Sequence, residues 1–361
     1  MTRKQQILKR FPKYWKILFI EPVVLGKKTH FIPKRENNIY IVTIPYLRGS
    51  NKNFLSKFIF NNGIVSVFIK TFGELIALFW IYILGFSGKD KVVALSSIHW
   101  GDFASKLKAK VKFYDCNDDH LKFAENCPWA REYLSRYLKT CDFVICVSKE
   151  LNRRVQSIYR VRSCIVGNGV DYEHFSKPVP KAPDLAEISG RILGFAGAIK
   201  WLDIELLEMI AKRFDNHNIV LIGPVIEMDL IDEIHRLAVK YRNVYYLGEK
   251  SYDLLPSYIQ YFDVGLLPYI KNEYSETLNP GKLYQYLAAG IPIVTMDFSK
   301  DIREFSEIIY IAKGKKEFIE SIKEALKSGF NPKGREIAKW YDWKEVSNKF
   351  LKIIRNFYKS Y

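Results

Sequence analysis

The sequence predicts an α/β protein of two domains, and three observations carry that expectation. The stretch Val264 to Thr295 reads as strand, loop, helix, tight turn, strand. A segment without apolar period, Ser176 to Ser189 with Pro178, Pro180 and Pro183, has the character of a linker. The length of 361 residues suits two domains of ordinary size, each with its own core.

In the first of these stretches, Val264 to Leu267 is a short apolar run ended by Pro268, as expected of a buried parallel strand. The loop 269–278 is polar. Asn279 suits a helix N-cap, and Pro280 suits the first helical position, where a missing N–H costs nothing. Gly290 closes the helix, and Ile291 to Thr295 is the next strand. Such a βαβ unit puts the loop and the helix N-terminus at the carboxyl edge of a sheet, where open α/β proteins bind ligands. Backbone N–H groups and the positive end of the helix suit an anion, and Lys282 adds a full charge one turn in. On spacing alone, a plain βαβ unit with a surface lysine is an equal reading.

The other elements follow in chain order. Gln5 to Arg10 looks helical, and Trp15 to Glu21 and Asn38 to Ile44 read as strands. Gly63 to Phe86 is the one long apolar stretch. It carries Lys70 and Glu74, which are costly in a bilayer core, so a helix packed on the first sheet is expected before an interfacial helix, and a true span last. Val92 to Ser96, Val111 to Tyr114 and Phe143 to Val147 are further strands. Beyond the linker come the strand Ile192 to Phe195, the helix Ile204 to Phe214, and strands beginning at Ile219 and Val244. The last helix, Trp343 to Tyr358, is basic on its outer face. The expected domains are therefore 1–176 and 190–342, joined by 177–189.

Lys+Arg 56 against Asp+Glu 39 gives a net charge of +17 and a pI near 9.4. That balance predicts an anionic partner. Nucleic acid fits poorly, because no zinc-finger spacing, RNP-like string or arginine-rich arm is present. An anionic membrane surface and a phosphate-bearing ligand fit better, with aromatic clusters at 54–60 and 79–86 available for the membrane. Five cysteines without a C-x-x-C pair read as reduced thiols of a cytoplasmic protein. No cleavable signal is expected from the basic first ten residues.

The string Asn279-Pro-Gly-Lys-Leu-Tyr-Gln-Tyr-Leu-Ala-Ala-Gly-Ile-Pro-Ile-Val294 resembles the nucleotide-sugar signature of glycosyltransferase family 4 and its relatives in capsule and teichuronic-acid assembly. The resemblance implies the GT-B fold, two Rossmann-like domains facing across a cleft, with the last helix (343–361) crossing back to the first domain. Such relatives begin with one more strand and a glycine-rich turn, so either the first sheet lacks that strand or the true start lies upstream. The family carries two glutamates eight residues apart, the second gripping the ribose hydroxyls. Here Thr277 and Gln285 take those positions, and a glutamine gives up the charge-assisted part of that bond. The resemblance further implies donor contacts from Gly197 and Lys200 after the first strand of the second domain. It adds the Gly248-Glu249 turn near the nucleobase, and Asn279, Pro280, Gly281 and Lys282 at the diphosphate.

In the first domain, Asp115, Asp118, Asp119 and His120 place three carboxylates and a histidine within six positions after a strand. The resemblance puts the acceptor-activating residue on this loop, with the capping of a helix near Leu121 as the bland alternative. His99 and Asp102 follow another strand and are expected on the acceptor side, a core histidine being an equal reading. No catalytic metal is expected, since GT-B enzymes neutralise the leaving diphosphate with helix dipoles and basic side chains. No cofactor is expected beyond the nucleoside diphosphate sugar itself. The implied function is transfer of a sugar, with retention, to a lipid-linked or polysaccharide acceptor on the inner face of the cell membrane. A GT-B nucleotide-sugar epimerase and a non-catalytic relative are the competing readings.

Overall fold

The computed structural model describes residues 2–23, 28–47, 63–123, 128–226 and 228–360. Its strands in chain order are β1 (Ile17–Val23), β2 (Lys34–Glu36), β3 (Ile39–Leu47), β4 (Val92–Leu95), β5 (Val111–Cys116), β6 (Phe143–Cys146), β7 (Ser163–Ile165), β8 (Ile192–Ala196), β9 (Asn218–Ile222), β10 (Val244–Tyr246), β11 (Val264–Leu267), β12 (Ile293–Met296) and β13 (Tyr310–Ala312). They form sheets in the orders β1-β3-β2, β4-β5-β6-β7 and β10-β9-β8-β11-β12-β13. Two compact units divide the chain. The larger comprises 1–7, 116–119 and 145–350, and the smaller comprises 8–115, 120–144 and 351–361.

The larger unit is built on the six-stranded sheet. Its strands are short apolar runs, and β8 and β11 are buried at every position. Both faces must then be covered, which favours parallel pairing with helical crossovers. β8 pairs in parallel with β9 from Ile192↔Asn218 to Ala196↔Ile222, and on its other side with β11 at Leu193↔Val264. The winding reverses between β8 and β11, so the loops that follow these two strands leave the sheet side by side. The helix Ile204–Arg213 starts where the Asp203 side chain accepts from Leu206 N at 2.9 Å, and it buries Leu206, Leu207 and Ile210. The helix Gly281–Ala289 buries Leu283, Tyr286 and Leu287 and ends at Gly290, whose φ of 76° marks the left-handed stop expected from sequence. Residues 177–189 also lie in this unit. Leu185 is buried there, and Asp184 accepts from Lys250 Nζ and Tyr258 OH, each at 2.7 Å.

In the smaller unit, β1 and β3 pair in parallel, as two strands read from their apolar runs. β2 was not legible, because Lys34, Arg35 and Glu36 give no apolar signal and all three are exposed. It pairs antiparallel with β3 through a turn at Asn37, whose φ of 55° suits asparagine. The residues of the final helix that belong here pack by aromatic contact, with Phe357 stacked on Phe143 at 4.1 Å. The aromatic cluster expected at 54–60 lies outside the described residues, as does Cys127.

The long apolar stretch is the helix Gly63–Ile83, which packs against β3. Among the described residues no helix is long and apolar enough to cross a membrane. Its two charged residues face inward. Lys70 Nζ donates to Asp102 Oδ2 at 2.6 Å and to Tyr133 OH at 2.9 Å, and Glu74 lies 3.8 Å from the amines of Lys70 and Lys106. Asp102 is buried and also receives Lys106 Nζ at 3.0 Å and Arg136 Nη1 at 2.8 Å. Burial alone would raise its carboxyl pKa, but the three cations outweigh burial and hold it well below the ordinary aspartate value.

The Asp102 cluster gives a stability test. A depressed carboxyl contributes stability above the unfolded value of 3.8 and loses it as the pH falls through the lower folded value. Asp102→Ala should cost about 2–3 kcal/mol at neutral pH, less than the ~3–5 kcal/mol of a fully buried pair because Lys106 and Arg136 are half exposed. Urea unfolding measures this, and a cost near zero would reduce the cluster to solvated surface charge.

Candidate functional site

The site lies within the larger unit, at the carboxyl ends of β8 and β11. The turn after β8 begins at Gly197, whose φ of 137° is open to glycine and strained for other residues. Gly197 N donates to Ile222 O at 2.8 Å, which fixes the turn on the end of β9. A Cβ at this position would lie 2.1 Å from Lys282 Cε and 2.7 Å from its Nζ. The structure therefore brings together Gly197 and Lys282, two residues far apart in sequence. The glycine leaves the room in which the lysine lies.

The surroundings of Lys282 are apolar. Its ammonium sits 5.0 Å from the centre of the Phe195 ring and 5.6 Å from that of Tyr269. Among the described residues no carboxylate pairs with it. Desolvation pushes its pKa down to about 8, from an ordinary value of 10.5. Ring faces return part of the lost solvation, but not that of an anion. Tyr286 OH accepts from Ala196 N at 2.8 Å, which ties the helix to the end of β8 beside them.

Asn279 corrects the expectation from sequence. It is not the N-cap of the helix. Pro280 occupies that position, and no side chain caps the helix. Asn279 is drawn away by stronger tertiary partners. Its Oδ1 accepts from Asn168 N at 2.8 Å and from Tyr284 OH at 3.1 Å, its Nδ2 donates to Asp301 Oδ1 at 3.2 Å, and its carbonyl accepts from Asn168 Nδ2 at 2.6 Å. The Asn-Gly turn at 168–169 thus anchors the loop that leads into the helix. Arg3 holds the same turn, donating to Val166 O at 2.7 Å and to Gly167 O at 2.5 Å. Nothing in the sequence marks Arg3, because its partners are carbonyls more than 160 positions away.

The remaining donor-side residues stand as follows. Thr277 is buried and turns its hydroxyl onto Tyr274 O at 2.7 Å. Gln285 is half-buried, and among the described residues its side chain makes no hydrogen bond. Lys200 Nζ lies 4.0 Å from the Trp201 ring, and Trp201 stacks on Tyr274 at 5.7 Å. Trp201 also holds a φ of 58°, a strained value of the kind that gathers at functional loops. Gly248 accepts from Gly223 N at 2.8 Å, and Glu249 beside it is exposed. Pro280 and Gly281 stand at the helix start, with open space above Gly281.

The acidic loop is divided. Asp118 and Asp119 fall in the larger unit, and Asp115 and His120 in the smaller. Asp119 pairs with Arg154 at 2.7 Å. Arg154 also reaches Glu150 Oε1 at 3.2 Å and Glu273 O at 3.1 Å. Glu150 is buried, and Arg153, opposed by burial and joined by Arg154 and Lys300, draws its pKa down to about 2. Asp118 Oδ1 accepts from Asp119 N at 3.0 Å. Asp115 is buried, and His120 Nδ1 lies 2.5 Å from Tyr114 OH. His99 Nδ1 lies 3.1 Å from Ser97 Oγ, with its ring against Trp129 at 5.3 Å. Asp102 is the buried anion of the cluster described above. After β6, Ser148 Oγ accepts from Leu151 N at 3.2 Å and caps the helix Lys149–Tyr159.

Residues 188–328 match the family model described as Glycosyl transferases group 1. A teichuronic acid biosynthesis glycosyltransferase of Bacillus subtilis (strain 168), TuaH, is 27% identical over 231 residues, covering 60% of this chain and 57% of that relative. The chain thus spans little more than half the length of that curated relative. Among solved structures, the sucrose-phosphate synthase of Thermosynechococcus elongatus superposes with a TM-score of 0.73 at 11% identity, over 99% of this chain and 92% of that one. The α,α-trehalose-6-phosphate synthase of Burkholderia multivorans gives 0.69 at 12% identity, over 96% and 99%. The Anabaena protein HepE in complex with UDP gives 0.62 at 11%, over 95% and 100%. The chain has the GT-B fold, and the resemblance to glycosyltransferases read from Asn279 to Val294 is borne out.

The state of Lys282 can be measured. Its folded pKa lies near 8 and its unfolded value near 10.5, so between these values the folded protein binds fewer protons and its stability rises with pH. An anion seated on the ammonium reverses the shift. Binding of a nucleoside diphosphate at pH 9 should therefore take up close to one proton. Calorimetry in two buffers of different ionisation enthalpy detects it. The uptake should vanish in Lys282→Met, and uptake that survives this change would assign the titration to another group.

Proposed function

We propose that this protein is a glycosyltransferase that moves a sugar from a nucleoside diphosphate sugar to a lipid-linked or polysaccharide acceptor at the cytoplasmic face of the cell membrane. The observation that carries the reading is the Lys282 ammonium. It lies against Gly197, among the described residues without a carboxylate partner, beside the N-terminus of a helix that none of their side chains caps. A cation and outward backbone N–H groups at the switch point of a doubly wound sheet suit a diphosphate. The group 1 match covers this part of the chain.

In the proposed reaction the bond from the anomeric carbon to the diphosphate oxygen breaks, and one to the acceptor oxygen forms. Lys282, Lys200 and the N–H groups of Gly281 and Lys282 stabilise the charge left on the diphosphate. The acceptor proton passes to a carboxylate of the acidic loop, for which Asp118 is the choice, with Asp119, paired to Arg154, in support. The configuration is retained, the acceptor oxygen entering on the face from which the diphosphate leaves, and the sugar is a hexose. Neither a resident cofactor nor a catalytic metal enters the scheme, because the charge on the leaving group is met by the chain itself. Gln285 favours a second reading. With a neutral amide in place of the ribose-gripping glutamate, the protein binds nucleotide sugars without turning them over.

Turnover separates the two readings, and release of nucleoside diphosphate only when an acceptor is present also sets transfer apart from epimerisation. Asp118→Asn should lower turnover by about 10²–10⁴-fold, the range for loss of a general base, with donor affinity within a factor of a few. Excess EDTA should leave the rate of the unaltered protein unchanged. Full activity in the variant would move the base elsewhere. A second measurement concerns the donor alone. Lys282→Ala should weaken nucleoside diphosphate binding by about 1.5–3 kcal/mol, and Gln285→Glu should tighten it. Unchanged calorimetric affinity in both would remove this helix from the donor site.

A further inference from the structure

The helix Gly63–Ile83 is inverted relative to an ordinary amphipathic helix. Its charged residues, Lys70 and Glu74, lie inward on the buried Asp102 cluster. Its outward side is apolar. Phe68, Phe72, Leu75, Phe79, Tyr82 and Ile83 are between 50% and 73% exposed. At about 100° per residue, the exposed positions from Val67 to Ile83 fall within an arc of roughly 160°. Thr71 is the single polar residue among them, and none is charged. The 21 residues make a rod roughly 31 Å long, so this is a continuous apolar strip and not a scatter of surface hydrophobics.

We propose that this strip is the surface by which the protein lies on an anionic lipid leaflet, with the helix axis in the membrane plane. The inference rests on the membrane location proposed above and names the contact that produces it. Charge selects the occupant. The chain carries +17, and cations border the strip. Lys16 is exposed at its C-terminal end and donates to Leu84 O at 2.6 Å, Lys89 is exposed beyond it, and Lys106 is half exposed at its inner edge. A second copy would bring the same cations against their own kind, whereas acidic headgroups complement them. Tyr82, the most exposed of the ring residues, has the amphipathic ring that settles at headgroup level.

The test uses the full chain and vesicles of phosphatidylcholine with or without phosphatidylglycerol. The unaltered protein should sediment with the anionic vesicles and largely stay behind with the neutral ones. The double variant Phe72→Ser/Phe79→Ser should partition at least tenfold less, with its melting temperature and its affinity for a nucleoside diphosphate unchanged. Equal partition of the two proteins overturns the inference. So does equal binding of the unaltered protein to both vesicle types. A fall in melting temperature would show that the strip packs against the chain itself, which also overturns the inference. Sedimentation velocity showing a dimer that the double variant dissociates, without loss of vesicle binding, would assign the strip to a second copy. A protein that binds vesicles through the strip but transfers no sugar supports the inference and removes the transferase reading alone.

Discussion

The site depends on one unbalanced charge. Moving an ammonium from water into an apolar surrounding is unfavourable unless something compensates it. Among the described residues, the compensation that Lys282 finds is the faces of Phe195 and Tyr269. Its pKa is lowered by that desolvation. A fold under selection for stability alone would place a carboxylate there, as the smaller unit does for Lys70 with Asp102. Among the described residues the lysine has no carboxylate partner, and in the proposed function the complement is an anion that also meets the helix N-terminus.

Holding such a lysine in place requires a rigid frame, which the larger unit supplies from several directions. Gly197 yields the volume, and a residue with a Cβ would occupy the place of the lysine chain. Tyr286 ties the helix to the last residue of β8. Asn279 gives up the capping role that its position suggests and joins Asn168, Tyr284 and Asp301 instead. The two consequences are linked. The network fixes the approach of the chain to the helix, and the helix start keeps no side-chain acceptor that would compete with a ligand. Arg3 extends the frame by binding the carbonyls of Val166 and Gly167, on the turn that Asn279 holds.

The sequence made the doubly wound half legible because its central strands, β8 and β11, are buried at every position and so read as apolar runs. The run Val264 to Leu267 and the helix to Gly290 stand where the pattern puts them. The Lys282 site was legible as a position, not as a state. A lysine one turn into a helix reads the same whether it is solvated or enclosed, and only the fold brings Phe195, Tyr269 and Gly197 to it. The Asn279 cap was misread for the same reason, since local capping preference competed with partners more than 100 positions away. β2 escaped notice because an exposed three-residue strand of charges has no periodicity to detect. The acidic run 115–120 looked like one constellation, yet Asp119 belongs with Arg154 and His120 with Tyr114. Adjacent positions at a strand end alternate in direction, so proximity in sequence does not make a shared site.

The stretch 63–83 shows how pattern and orientation come apart. An apolar period with two charges states that a helix has two unlike faces, but not which of them faces the core. By default the apolar face turns inward, and a helix packed on the sheet was the first expectation. Asp102, Arg136 and Tyr133 reverse that choice by offering Lys70 an acidic, hydrogen-bonded seat. A buried ion cluster of this kind adds little net stability compared with an apolar core, since desolvation offsets most of the attraction. Its effect is on orientation. With the charges fixed inward, the apolar arc has nowhere to turn but outward, and the hydrophobic burial that would ordinarily hold the helix to its own protein remains available to a second phase.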